Sequence, residues 1–119
     1  MKIKGKSPKE VCLSLLKRSD CNVQVAAVLS DKHGIFAWGW NHSGPSGMGE
    51  HAEENCLKRA SHKRANGAVM WIAGRYRKSK NTVSSRPCGA CWPLLQRCRY
   101  VVYRKKDNSW VVLDTQRQN

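Results

Sequence analysis

A chain of 119 residues with 22 Lys+Arg against 8 Asp+Glu carries a net charge of +14 with histidine neutral. That length fits one domain, residues 1–119, large enough to bury a core without disulfides, and a hydrophobic content of 40% argues against global disorder. No run approaches the roughly 18 apolar residues that cross a bilayer, and the basic start carries no export signal; the chain is expected in the cytoplasm, its six cysteines reduced or bound to metal.

Ser7-Pro8-Lys9-Glu10 predicts a helix start, with Ser7 as N-cap, Pro8 at the first position and Glu10 completing a capping box. This helix should end near Asp20. Val23 to Leu29 is apolar and β-branched and predicts a strand. Ser30 to Gly34 supplies a hairpin turn, and Ile35 to Trp40 the returning strand. Strand alternation is expected to put one of Trp38 and Trp40 in the core. Asn41 to Gly49 is a loop. A second helix follows from Glu50 to about Arg64, closed by Gly67 in the left-handed conformation. Ala68 to Tyr76 predicts a buried strand, and Arg77 to Arg86 a basic loop. Pro87 opens a third helix to about Arg97. Arg99 to Lys105 and Trp110 to Asp114 are strands joined by a short turn, hence antiparallel. The tail is expected to fray. The order is α-β-β-α-β-α-β-β, an α/β fold with one mixed sheet covered by helices.

The charge is uneven. Asn55 to Lys106 contains no acidic residue and 14 basic ones, so this half carries the whole net charge. Folding gains nothing from such self-repulsion; a polyanion, nucleic acid above all, is the partner it suits.

Two short motifs carry chemistry: His51-Ala52-Glu53 and Pro87-Cys88-Gly89-Ala90-Cys91, each at an expected helix start. Cys88 and Cys91, three apart, present both sulfurs to one side, and His51 can add a nitrogen. One nitrogen and two thiolates suit zinc, and three protein ligands leave the fourth position for water, as in catalytic sites. Zinc lowers the pKa of that water, and Glu53 is placed to take and return its proton. A structural zinc site would instead need a fourth ligand such as His42, Cys56 or Cys98.

Together, His-x-Glu followed by Pro-Cys-x-x-Cys resembles the zinc-dependent nucleobase deaminases, and the element order is similar to the cytidine deaminase-like three-layer fold with a mixed five-stranded sheet. The resemblance implies one zinc on His51, Cys88 and Cys91, a proton shuttle at Glu53, a base edge held around Ala52, and a sugar or base contact from Asn41. Pro-Cys-Gly-Ala-Cys and the C-terminal hairpin resemble free cytidine deaminases, whereas Gly39-Trp40-Asn41 also resembles tRNA adenosine deaminases. The free-nucleoside branch carries Asn-x-Glu where this chain has Asn41-His42-Ser43, which leaves room for a substrate held by its phosphates.

Arg75, Arg77, Lys78 and Arg86, with Tyr76 among them, precede the cysteine motif and are expected at the pocket mouth, where cations beside an aromatic ring suit a single strand. Trp40 and His42 are further candidates to flank a base. The expectation is a zinc-dependent hydrolase converting cytosine to uracil in single-stranded DNA or RNA. The alternatives are a deaminase of free cytidine, deoxycytidine or dCMP, a tRNA-type adenosine deaminase, and a non-enzymatic zinc-stapled nucleic-acid binder.

Overall fold

The computed structural model describes residues 5–44 and 49–117. Helix α1 runs over Pro8–Leu15 and starts on the expected capping box: Glu10 N–H donates to Ser7 Oγ (3.1 Å) and Ser7 N–H to Glu10 Oε1 (3.2 Å). It tightens into a 3-10 turn at Leu16–Arg18 and stops at Ser19, which is extended.

Strand β1, Val23–Asp31, pairs antiparallel with β2, Gly34–Trp40. It continues two residues into the segment expected as a turn. Ser30 is held by Trp71, whose Nε1 donates to Ser30 Oγ (2.8 Å), and Asp31 accepts from His33 N–H (2.9 Å), closing a two-residue turn before Gly34 at φ +110°.

Helix α2 covers only Ala52–Arg59. The single expected helix breaks at Ala60, which is extended, because Ser61 Oγ accepts from Arg64 N–H and so caps a separate turn, α3, His62–Ala65. Gly67 has φ +79°, as expected for the residue after a helix end.

Strand β3, Val69–Tyr76, pairs antiparallel with β1. The basic loop after it contains a two-residue strand, β4, Thr82–Val83, on the same β3. Strands β5, Tyr100–Arg104, and β6, Trp110–Asp114, form the expected antiparallel hairpin, with β5 parallel to β3. The sheet reads β2-β1-β3-β5-β6, five strands with β4 off the main path. The expected third helix is shorter and tighter. It is a 3-10 helix over Trp92–Arg97, and Cys88–Cys91 precedes it as a turn in which Cys91 N–H donates to Cys88 O (3.1 Å). Pro93 supplies no N–H to this segment. The tail does not fray at once: Thr115–Arg117 forms a 3-10 turn, and buried Thr115 donates its hydroxyl to Cys98 O (2.6 Å).

The central strands are buried on both faces, which is why β1 reads as a nearly continuous apolar run. Ala26, Val28 and Ala73 pack with Val11, Cys12, Leu15 and Leu16 of the α1 layer. Ala27, Leu29, Met70 and Ile72 pack with Ala52, Cys56 and Leu95 on the other side. Trp38 and Trp40 are two apart, so they share a face; both are half-buried against the α1 cluster, and neither is the fully buried one expected. Trp71 and Trp110 meet edge to face on the same side, with centroids 6.3 Å apart.

One close approach ties this frame to the site. A Cβ on Gly39 would lie 2.6 Å from Cys56 N and 2.9 Å from Cys56 Cα, so α2 rests directly on the β2 backbone. Strands β2 and β3 run in the same direction, both antiparallel to β1 between them. The segments leaving their C-terminal ends, which carry His51 and Cys88, therefore meet at one end of the sheet.

Candidate metal centre

His51 is the N-cap of α2 and Cys91 the N-cap of the 3-10 helix, so both motifs do begin helices, with Cys88 one turn earlier. His51 Nδ1 is 2.9 Å from Cys91 Sγ and 3.9 Å from Cys88 Sγ, and the three donor atoms all lie within 4.8 Å of one another. A tetrahedral zinc with bonds of about 2.0–2.3 Å would hold neighbouring donors about 3.5 Å apart, and the two distances bracket that value. Among the described residues no fourth His, Cys, Asp or Glu joins the group. Cys56 and Cys98 are buried in the core, and His42 Nε2 contacts Glu50 at 3.3 Å. The donor set fits zinc with an open position.

Glu53, in the first turn of α2, is 5% exposed. Burial pushes its carboxyl above the usual range, and its own backbone N–H, the neighbouring His51 and a hydrogen bond with Cys91 oppose this only in part. Burial also pushes the Cys91 thiol up, with the Glu53 charge adding to it. A cation among these groups would favour their anionic forms.

A cavity of about 180 Å³ opens on the site, lined by Val25, Asn41, His51, Ala52, Glu53, Ser84, Ser85, Arg86 and Cys88. Asn41 is held from three sides. Its Oδ1 accepts from Val25 N–H (2.8 Å) and Ser19 Oγ (2.6 Å), and its Nδ2 donates to Val23 O (2.8 Å). One amide hydrogen remains for a ligand. Ser84 and Ser85 were not singled out from the sequence, although they stand directly before Arg86-Pro87-Cys88. Ser85 is fixed by donating to Ile72 O (2.8 Å).

Other expected contacts lie elsewhere. The Trp40 ring sits between Arg18 and Arg59, whose guanidinium carbons are 5.2 and 4.7 Å from its centroid. Arg75 Nε donates to Gln24 Oε1 (2.7 Å), and Arg77 donates to Asp20 O (2.9 Å). Tyr76 and Lys78 line a separate depression with Asn22 and Ser79. The carboxylates of Asp20 and Glu50, which contact Ser43 and His42 of the loop after β2, are engaged by neighbours. Asp20 accepts from Ser43 N–H (2.9 Å) and Oγ (2.7 Å), which lowers its pKa. Glu50 accepts from Asn55 (2.7 Å) and pairs with Lys58.

Comparison with known proteins gives a consistent result. The sequence pattern of the cytidine and deoxycytidylate deaminase zinc-binding region matches residues 5–105. No curated protein sequence matches the chain. Among solved structures, a cytidine deaminase from Burkholderia pseudomallei has a TM-score of 0.69 and 19% identity, over 89% of this chain and 88% of its own. A dCMP deaminase from the cyanophage S-TIM5 gives 0.64 and 19%, over 82% and 79%. A cytidine deaminase from Mycobacterium leprae gives 0.66 and 14%, over 96% and 95%.

Proposed function

The chain belongs to the cytidine and deoxycytidylate deaminases, and within that family we propose that it hydrolyses cytosine to uracil in single-stranded nucleic acid. Zinc, when bound, acidifies water toward neutrality and supplies the nucleophile. His51, Cys88 and Cys91 would hold the ion. Glu53 takes one proton as water adds at C4 and passes it to N3; it then takes the second, from the new C4 hydroxyl, and gives it to the amine, which leaves as ammonia as the C4–N4 bond breaks and C4=O forms. Asn41, pinned by Ser19, Val23 and Val25, offers its free amide hydrogen to base or sugar, and the backbone at Ala52 borders the same cavity.

The observation that carries the polynucleotide reading is Arg86. It is exposed at the cavity, belongs to the acid-free half of the chain, and has no carboxylate partner among the described residues. The placement of Asp20 and Glu50 supports it: both are engaged by Ser43, Asn55 and Lys58, and neither lines the cavity that holds Asn41. Tyr76, Arg77 and Lys78 add a basic, partly aromatic surface at the start of β1 and the end of β3. The likeness to cytidine and dCMP deaminase structures favours a second reading, a free nucleoside or nucleotide as substrate.

Ammonia release from cytidine, dCMP, single-stranded DNA, RNA and tRNA at several salt concentrations decides between them. Higher kcat/KM on a strand, falling with salt, supports the first reading. Equal or better turnover of cytidine or dCMP, with no salt effect, supports the second.

A further inference from the structure

Beside the metal cavity lies a second depression of about 260 Å³, walled by Pro87, Gly89, Trp92, Pro93 and Leu113. The two share Arg86 and Cys88. Small-molecule sites start at roughly 300 Å³. Each depression alone falls short of that size, and joined across Arg86 they exceed it.

The chemistry of the groove is of two kinds. Its walls are apolar, with Trp92 half-buried and packed on the core. Its border with the metal cavity is cationic. The Arg86 guanidinium makes one long hydrogen bond, to Tyr103 Oη at 3.4 Å, and lies 5.9 Å from that ring; its remaining donors are left for a ligand. The groove also has room at its rim, since a Cβ added to Gly89 would meet nothing within 4 Å. Between a pocket for one base and an apolar slot with an indole wall, a guanidinium stands where a backbone phosphate would pass.

We propose that this groove receives the nucleotide next to the target cytosine, its base against Trp92 and its phosphodiester on Arg86. Stacking of this kind tolerates any base, while the phosphate contact depends on salt. The proposal rests on the polynucleotide reading of the metal site and makes it specific: the unit recognised is longer than one nucleoside.

The test measures binding of zinc-loaded protein to fluorescent thymidine strands with one central uracil, the reaction product, by anisotropy. Versions lacking the base on one or the other side of the uracil are compared. Loss of one neighbouring base should weaken wild-type binding about tenfold. Gly89→Leu, which adds bulk at the groove rim, should bind about tenfold more weakly and show little further loss with the base-less strand. Arg86→Gln should weaken binding and reduce the salt slope by about one, and Trp92→Phe should retain most of the affinity. The proposal is overturned if neither missing base matters, if Gly89→Leu binds like wild type, or if sedimentation shows that Gly89→Leu merely dissociates a dimer seated on the groove. Ammonia release on the same samples separates the two levels. Cytidine turnover without strand binding sinks the groove and leaves the deaminase, whereas strand binding with this pattern but no deamination of any substrate sinks the catalytic reading instead.

Discussion

His51 Nδ1 lies 2.9 Å from Cys91 Sγ although 40 residues separate them in the chain. Zinc at this place would cross-link the start of α2 to the segment between β4 and β5. Cys91→Ala should reduce bound zinc from about one per chain to a trace, measured by atomic absorption. Chelation of the wild type should lower its Tm by about 5 °C or more, because binding energy of a few kcal/mol at excess metal is folding energy.

Glu53→Gln keeps the size of the side chain and removes its ability to carry a proton. Turnover should fall by about 10²–10⁴-fold, while zinc content stays at the wild-type level. Loss of zinc together with activity would assign Glu53 a role in building the site.

Gly39 touches the α2 backbone, so Gly39→Ala drives a methyl group against Cys56 N and Cα. Overpacking of this kind costs about 1–3 kcal/mol, read from urea unfolding. Because α2 starts at His51, the displacement should also weaken zinc retention in competition with a chelator. An unchanged urea midpoint would mean that α2 can shift freely.

Asp31 accepts from Arg64 Nε (2.6 Å) and Nη2 (3.0 Å), which joins the β1–β2 turn to α3. This guanidinium holds the Asp31 carboxyl at about 2, below its ordinary value near 3.9. A depressed pKa stabilises the fold above the unfolded value, and that contribution is lost as pH falls through the folded one. Asp31→Asn should therefore lower Tm at pH 7, and the gap to wild type should close between about pH 4 and pH 2. A gap at pH 2 as wide as that at pH 7 would show that the effect is steric.

The six thiols should divide by location. Cys12, Cys56 and Cys98 are buried, which raises all three pKa values, that of Cys98 to about 11. Maleimide at pH 7 should modify half-exposed Cys21 in the zinc-loaded protein, add exposed Cys88 after chelation, and reach Cys12, Cys56, Cys98 and the likewise buried Cys91 only in denaturant. Peptide mass spectrometry reads the sites.

What the sequence revealed was what is local. The capping box at Ser7 and Glu10, the left-handed Gly67 and the antiparallel C-terminal hairpin depend on residues a few positions apart. His51, Cys88 and Cys91 were legible because metal ligation restricts residue type and spacing together. Side chains whose surroundings come from distant segments were not. Trp40 is drawn out of the cavity by Arg18 and Arg59, which belong to different elements. Arg75 is turned to Gln24 on the neighbouring strand. The helix expected from Pro87 shrank because the cysteines occupy a turn closed on Cys88 O and Pro93 lacks a donor.

The pairing of β3 with β1, β4 and β5 has a consequence for how the polypeptide emerges during synthesis. The first hairpin can zip early, but one of its edges stays bare until Val69–Tyr76 leaves the ribosome. Loading of the ion must wait longer still, for Cys91. A nascent chain stalled in that interval displays an open strand and a lone imidazole, so translation pauses there, more than faults in the finished fold, are where aggregation should begin.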